Sequence, residues 1–553
     1  IPPFSTFSKT VMWWLVVLLV PCLYLYSRQR LKYFSSRGVC TLPPVPFLGN
    51  LTAVTLGREN FVEAIAAGYD AFKDQRYFGL YQYLVPTLIP RDPELIRQIM
   101  VRDFNSFADR GVHIDADCDP LFGRNLIMLT GSKWRSMRTS LSPAFSSARC
   151  RSMAPLMADS ANAVVNYLRE TVKGEKVMDI NITMSYVNDV IASCAFGFAV
   201  NSLKEPDNII FRLGKKAVIQ DTNQVMKFFG YENMKNIMKL LQVKIIPTED
   251  ANQFSQLFKS ALKSRRENLV KPRPDFIQIL VDAAQGRNTE LIVCPVDGDR
   301  LTSNPMGPKH NKFSDDDLVA QAVLFYIAGY DTTANLIYYF LYEMAVNPFV
   351  QEKLHEELDS LPADEEIKDL YETVTGLEYL DMCSKICIFD MNYDKIRYII
   401  LPFTLNRPII VSEVLRLWPL VGSADRRSVA TYDFGPTSPG SKDRLIAPAG
   451  IHVWLPIYSI HRDPAYWPEP NVCEPERFSK ERKADIVPYT YMPFGNGPRH
   501  CIGSRFAVLA AKVLIAKFLR IYKTRAIAES THLSPRAFIL RPADGYQLIV
   551  EPR

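Results

Sequence analysis

The sequence lacks the cysteine patterns that mark a disulfide-stapled or zinc-binding protein. Its ten cysteines are irregularly spaced along 553 residues, and no CxxC pair occurs among them, so neither a disulfide framework nor a zinc site is indicated. Long basic runs and nucleic-acid-binding motifs are also missing. The formal net charge of +6 therefore indicates local patches and predicts no nucleic-acid partner. A composition of 48% hydrophobic and 22% charged residues excludes a disordered chain.

Uncharged runs long enough to enter a membrane are scarce, and the clearest one lies near the N-terminus. Residues 10–27 carry no charge, and the basic segment Arg28 to Lys32 follows directly. Eighteen residues is close to the minimum for spanning a bilayer, and the basic flank predicts that the rest of the chain stays in the cytosol. No small-residue cleavage site precedes that flank, so we expect a retained membrane anchor over residues 1–30 rather than a cleaved signal peptide.

The remaining domain organisation follows from composition. Residues 31–50 are basic and then proline-rich, which predicts a stiff, non-helical linker. Residues 51–553 are predicted to form one large domain. Because the chain begins with Ile1 while Met12 opens the apolar run, residues 1–11 are expected not to be native coding sequence.

Ser314 is followed by Asp316 and Asp317 in what would be a first helical turn, which is typical of a helix N-terminus. After this turn, charged residues are nearly missing as far as about Asn347. We predict a helix from Ser314 to about Asn347 that is apolar on all sides and therefore buried. Apolar residues recur at helical spacing over much of residues 51–300, whereas the C-terminal third shortens into strand-like stretches. The predicted fold is mainly α with a minor β portion.

The glycine-rich stretch FGNGPRHCIG, residues 494–503, lacks the third glycine of a dinucleotide-binding loop. His500 occupies that position, and the predicted helix over residues 504–524 carries no acidic residue, so the dinucleotide interpretation fails. Cys501 offers another chemistry. A cysteine in a loop that leads into a helix meets backbone amides and a positive dipole end, which we expect to lower its pKa and stabilise a thiolate. Thiolates bind haem iron in oxygen-activating enzymes, and Arg499 and Phe494 are placed to contact a haem.

Five motifs occur together in one order along the chain. The cysteine stretch contains the full pattern F-G-x-G-x-R-x-C-x-G, and AGYDTT (residues 328–333) lies in the long helix. The others are a W-x-x-x-R pair, an E-x-x-R pair and P-E-R-F, at Trp134 and Arg138, Glu413 and Arg416, and Pro475 to Phe478. On these motifs the sequence resembles the cytochrome P450 family of haem-thiolate monooxygenases over residues 30–553. The resemblance implies the cytochrome P450 fold, a single large helical domain around a buried haem.

That resemblance also implies the site residues. Cys501 would be the axial thiolate ligand of haem b, the iron protoporphyrin IX. Residues that would contact the cofactor are Phe494, Gly495, Arg499, Gly503, Trp134, Arg138, Arg426 and Ala328. Thr332 and Asp331 would be catalytic and relay protons. Thr332 lies one turn after Ala328, so its hydroxyl can bond back to the i−4 carbonyl. Glu413, Arg416 and Arg477 are expected to form a buried charge network that is structural.

The implied reaction inserts one oxygen atom of O2 into an apolar small molecule. Flavin and nicotinamide motifs are missing, so electrons are expected from a separate NADPH-cytochrome P450 reductase, with cytochrome b5 as a further partner. Arg505 and Lys512 are candidates for a basic docking face. Three stretches of the sequence, AFSSARCRSMAPLM, DLVAQAVLFYIAGYDTT and PIYSIHRDPAYWPEP, are similar to the insect microsomal branch of the family. This similarity implies an endoplasmic-reticulum membrane location and a xenobiotic substrate, with an endogenous hormone or lipid as the alternative. Phe325 and residues 420–424 are candidate pocket residues.

One segment departs from the family pattern. The 28 residues 383–410 separate two stretches that should form one helix, and Pro402 and Pro408 break any continuous helix there. We hypothesise a retained intron or mispredicted exon. Two alternative functions remain open: a non-catalytic, membrane-tethered relic disabled by this segment, and a haem-thiolate isomerase that needs no external electrons. The intact pair of Asp331 and Thr332 argues against the isomerase.

Overall fold

A computed structural model describes residues 19–217, 222–267, 269, 275–284, 313–362, 370–377, 379–380, 410–528, 532–543, 545 and 548–553. The predicted non-native residues 1–11 and all but the last residue of segment 383–410 lie outside these ranges, as do the first 18 residues of the predicted anchor. Residues 19–30 are helical. Across the described ranges, none of the helices combines the length and apolar character needed to cross a membrane.

Helices make up most of the described structure. They are α1 (Thr52–Thr55), α2 (Phe61–Ala71), α3 (Pro93–Arg97), α4 (Pro120–Gly123), α5 (Gly131–Leu141), α6 (Ser147–Thr171), α7 (Ile180–Phe196), α8 (Ile209–Ala217), α9 (Thr222–Asn233), α10 (Lys235–Leu240), α11 (Thr248–Arg266), α12 (Phe276–Ala284), α13 (Asp315–Val346), α14 (Pro348–Asp359), α15 (Leu370–Gly376), α16 (Ile410–Leu417), α17 (Ile457–Ile460) and α18 (Ser504–Leu519).

Three small sheets accompany the helices. Their strands are β1 (Tyr77–Gln82), β2 (Val85–Pro90), β3 (Lys176–Val177), β4 (Ala424–Arg427), β5 (Tyr432–Pro436), β6 (Arg444–Ala447), β7 (His452–Leu455), β8 (Tyr522–Ala526) and β9 (Leu548–Pro552). The orders are β1-β2-β7-β4, β3-β9-β8 and β5-β6. Among the strand pairs of these described sheets, only β2 and β7 are parallel, and Arg426 on β4 lies opposite Val453 on β7. The prediction of a mainly α fold with a minor β portion is confirmed.

Helix α13 is the centre of the larger core, as predicted from its apolar sequence. The Ser314 hydroxyl accepts a hydrogen bond from the Asp317 amide, and the Asp317 carboxylate accepts one from the Ser314 amide. This reciprocal cap satisfies two amides that a helix start otherwise leaves unbonded. The helix packs against α7, α18 and β8, so most of its residues are buried.

A buried charge network fixes the segments that lead to the C-terminal third. The Arg416 guanidinium donates to both carboxylate oxygens of Glu413 at 2.7 Å, and both side chains are 0% exposed. Arg416 also donates to the carbonyls of His461 and Pro470, while Arg477 Nε lies 3.5 Å from Glu413 Oε1. The predicted three-residue network is therefore present. Because its charges are desolvated, it fixes geometry more surely than it adds stability.

Candidate active site

The cysteine loop, residues 493–503, is a tight turn that only glycine allows at two positions. Gly495 and Gly497 have φ values of 71° and 68°, in the left-handed region that disfavours side chains. A Cβ atom on Gly497 would lie 2.0 Å from the Met100 carbonyl oxygen. The Cys501 amide donates to the Phe494 carbonyl at 2.9 Å. The loop then runs directly into α18, whose first turn begins at Ser504.

Cys501 is exposed although protein atoms surround it closely, so we infer an internal space beside its thiol. Its side chain is exposed, yet burial is the largest influence on its pKa, which it raises above the ordinary value. The Gly503 amide, Arg138, Arg110 and the Ser504 amide act in the opposite direction. The predicted helix-terminus effect is thus present, but the expectation of a lowered pKa is wrong as a net result. Desolvation of the thiolate outweighs the opposing effects of the two amides and the two arginines.

Helix α13 opens to an internal space along one short stretch. Ala328 is exposed, and Phe325, Gly329 and Thr332 are partly exposed, within a helix that is otherwise almost entirely buried. The Thr332 hydroxyl donates to the Ala328 carbonyl at 2.6 Å, as its spacing predicted. This stretch thus presents to the space two small residues, Ala328 and Gly329, the Thr332 hydroxyl, and the apolar side chains of Phe325 and Ile327.

Phe145 connects the helix to the cysteine loop. Its ring centroid is 5.1 Å from that of Phe325 on α13, and a Cβ atom on Gly503 would lie 3.7 Å from its Cε1 atom. The open stretch of α13 and the cysteine loop therefore share a neighbour. Sequence reasoning missed Phe145 because it lies in a short turn without a motif.

Asp331 lies apart from the exposed stretch. Its side chain is buried, and its carboxylate accepts a hydrogen bond from Arg541 at 2.6 Å and one from the Asn335 amide at 2.8 Å. Burial raises the pKa of Asp331, and Arg541 and Asn335 oppose that rise. The two residues that the motif places side by side therefore have different surroundings: Thr332 meets the internal space, whereas Asp331 meets a cation.

Arginines from three parts of the chain gather beside the cysteine loop. Arg426 on β4 is 2% exposed, and burial together with Arg110 lowers its pKa to about 9. Arg110 donates to the Asp425 carboxylate at 2.6 Å. Burial, Arg110 and Arg426 lower the pKa of Arg499 to about 9 as well. Guanidinium groups this close and this buried repel one another, so the cluster favours an anion.

The predicted aromatic and basic residues of α5 join the same cluster. The Arg499 guanidinium lies 4.1 Å above the centre of the Trp134 ring and donates to the Ala108 and Leu129 carbonyls. Arg138 Nη2 lies 3.4 Å from His500 Nε2, next to the thiol that it influences. The structure therefore brings Cys501, Arg499, Trp134, Arg138 and Arg426 together.

Sequence reasoning missed Arg110 and Asp425. Arg110 follows Asp109, whose carbonyl accepts from the Arg427 amide in an isolated bridge to β4. This long-range pairing leaves no local pattern. A second correction concerns Lys512, which is 1% exposed and donates to the Val374 carbonyl. Lys512 therefore cannot belong to a surface docking face.

Comparison with known proteins defines the class. The sequence matches the Cytochrome P450 family over residues 41–385 and 408–550. It is 33% identical to Cytochrome P450 9e2 of Blattella germanica over 96% of both chains. It is 32% identical to Probable cytochrome P450 9f2 of Drosophila melanogaster over 95% of both chains. Identity is 31% to Lithocholate 6-beta-hydroxylase of Mesocricetus auratus, over 96% of this chain and 94% of that one.

The chain belongs to the cytochrome P450 family, whose members are monooxygenases that hold haem through a cysteine thiolate. The residues present fit such a group. Among the described residues, Arg110 Nε and Arg426 Nε are buried donors without a hydrogen-bond partner, and Asp109 and Asp425 are carboxylates that partly offset the positive charge of the cluster. Two haem propionates would supply both the missing acceptors and the missing negative charge.

Proposed function

We propose that this protein is a haem-thiolate monooxygenase in which the Cys501 thiolate would hold the haem iron. The observation that carries the proposal is the Cys501 thiol, open to an internal space beside a cluster of buried arginines. When bound, haem would supply the site of dioxygen activation. The overall reaction consumes the substrate, O2, two electrons and two protons and yields hydroxylated substrate and water.

The residues around the internal space have separate tasks in this proposal. Arg110, Arg426 and Arg138 would hold the propionates, and Arg499 packs the loop against Trp134. Gly495 and Gly503 would let the cysteine loop approach the cofactor closely. Phe494 would pack against the cofactor, and its carbonyl accepts a hydrogen bond from the Cys501 amide.

The exposed stretch of α13 would contact the substrate and move protons. Ala328 is small and leaves room beside the helix. The Thr332 hydroxyl lies one turn further along α13, is partly exposed, and donates to the Ala328 carbonyl. Thr332 would donate a proton at its Oγ1 atom and recover it from water, and the Asp331 carboxylate would relay protons to that water. Phe325 and the partly exposed apolar residues of the stretch favour an apolar substrate. The name of the hamster relative, a hydroxylase of lithocholate, supports oxygen insertion into such a molecule, a xenobiotic or an endogenous lipid or hormone.

Electrons would come from NADPH-cytochrome P450 reductase, with cytochrome b5 as a second donor. We propose an endoplasmic-reticulum membrane location with the catalytic domain in the cytosol, supported by the uncharged residues 10–27 and the basic flank that follows them. The isomerase alternative predicts turnover without NADPH and reductase, so omitting both distinguishes it.

We also propose that the predicted insertion, residues 383–410, is not part of the functional chain, apart from Ile410, which is the first residue of α16. The Ile410 amide donates to the Tyr379 carbonyl at 3.3 Å. If the 27 residues 383–409 are removed, these two become i and i+4, the spacing of an α-helical hydrogen bond. The amides of Tyr379 and Leu380 donate to Glu357, so the upstream flank is held in place. The family match pauses at residue 385 and resumes at 408, which agrees with this interpretation.

A carbon-monoxide difference spectrum of the reduced protein tests the assignment of Cys501. We expect the red-shifted thiolate band in the chain that lacks residues 383–409, its loss in Cys501→Ser, and its retention in the matched variant Cys40→Ser. A thiolate band in Cys501→Ser would refute the ligand assignment. A band of equal size in the full chain would support a tolerated insertion, and transcript reads that contain the segment would refute the splicing hypothesis. A full chain that never binds haem would instead favour the relic.

A further inference from the structure

The C-terminal loop, residues 532–543, reaches into the core to meet Asp331. The loop closes on itself, because the Ser534 amide donates to the Arg541 carbonyl and the Ala543 amide donates to the His532 carbonyl, both at 2.7 Å. This closure leaves Arg541 at a defined position near the end of the turn.

Two further contacts tie the same loop to the rest of the domain. The side-chain amide of Asn60, itself buried at the start of α2, donates to the Ser534 and Ala537 carbonyls at 2.6 and 3.0 Å. The Leu540 amide donates to the Leu420 carbonyl at 3.0 Å. The loop is therefore fixed next to the candidate pocket residues 420–424, and Arg541 follows Leu540 directly.

Arg541 and Asp331 form a desolvated ion pair. Nη2 of Arg541 lies 2.6 Å from Oδ1 of Asp331, and the side chains are 13% and 6% exposed. Asn335 donates to the same oxygen. Burial, Asp331 and, on α7, Asp189 raise the pKa of the Tyr330 hydroxyl, and Arg541 lowers it, so Tyr330 lies close to this pair. Arg541 is the cation among them.

We propose that Arg541 is a positioning residue for catalysis: it holds Asp331 as a carboxylate turned toward the C-terminal loop, so that proton delivery through Thr332 depends on this loop. The inference rests on the proposed function. Removing the arginine would leave a buried carboxylate without its counter-charge, which then protonates more readily. The C-terminal loop and the proton path would thereby be coupled through one contact.

The main experiment compares pH profiles of product formed per NADPH consumed, in the haem-loaded enzyme with its reductase. The variants are Arg541→Gln, Arg541→Lys, Asp331→Asn and the matched control Arg536→Gln, an exposed arginine of the same loop. An opposite charge at this distance changes the pKa of a carboxyl group by about 1–3 units. We therefore expect the acidic limb to move upward by about 1–3 pH units in Arg541→Gln, to stay near its place in Arg541→Lys, and to vanish in Asp331→Asn.

A second readout needs no turnover. In a double-variant cycle of thermal unfolding, Arg541→Gln should lower the unfolding temperature more in the parent than in Asp331→Asn. Equal losses in both backgrounds would overturn the ion pair. An equal loss of activity at every pH, unrelieved by Arg541→Lys, would overturn the positioning role. If the parent chain shows no thiolate band, the proposed function is overturned instead. The unfolding cycle would still test the ion pair, because it does not depend on haem or turnover.

Discussion

The buried His461 makes a specific prediction about acid stability. It follows α17, is 0% exposed, and uses both ring nitrogens: Nε2 accepts from the Met492 amide at 2.8 Å, and Nδ1 donates to the Arg416 carbonyl at 3.2 Å. The ring must therefore be neutral, since protonation of Nε2 would remove the acceptor that Met492 needs. Burial and the nearby Arg416 lower the pKa of His461 from 6.5 to about 3.

The sign of the effect follows from this lowered pKa. Below pH 6.5 this histidine is protonated in the unfolded chain but stays neutral in the folded chain until the pH approaches 3. The contribution of His461 to stability is thus present above pH 6.5 and is lost as the pH falls toward 3. Integrating between pH 7.5 and pH 5 gives a loss of about 2 kcal/mol.

Urea unfolding at pH 7.5 and pH 5 would measure this loss. His461→Gln is less stable than the parent at pH 7.5 but should lose about 2 kcal/mol less on acidification, whereas His532→Gln, which replaces an exposed histidine, should follow the parent. Other titrating groups are shared and cancel in the comparison. An identical acid-induced loss in His461→Gln and the parent would refute the assignment of a neutral, doubly bonded ring.

Two further predictions concern the frame around the site. Gly497→Ala should abolish the thiolate band or remove most of the folded protein. An alanine in this left-handed backbone conformation costs about 1–2 kcal/mol, and the clash of its Cβ atom with the Met100 carbonyl adds to that cost. Gly503→Ala, with φ of −92° and its nearest contact 3.7 Å away, should keep its fold; equal folded yields of the two variants would contradict this reasoning. Glu413→Gln should cost about 3–5 kcal/mol, measured by urea unfolding, because Arg416 remains buried without its full counter-charge; a loss under 1 kcal/mol would contradict the network's role.

Much of the site was predictable from local sequence because its chemistry lies in short motifs. The cysteine loop requires glycines at fixed positions, and its helix begins at the next residue, so position along the chain predicts position in space. The Thr332 bond to the Ala328 carbonyl and the Ser314 cap are likewise contacts within one or two helical turns. The buried pairing of Glu413 with Arg416 follows from i, i+3 spacing in the same way.

The remaining features depend on contacts between distant segments. Arg110 joins the site only because Asp109 bridges to β4, and the net pKa shift of Cys501 depends on how deeply the loop is buried. The motif places Asp331 beside Thr332, but the packing of the C-terminal loop decides that Asp331 pairs with Arg541. The sequence by itself determined the family, the thiolate candidate and the buried central helix, because those are encoded in local spacing. Only the tertiary structure decided which charges meet, because desolvation and ion pairing depend on neighbours hundreds of residues away.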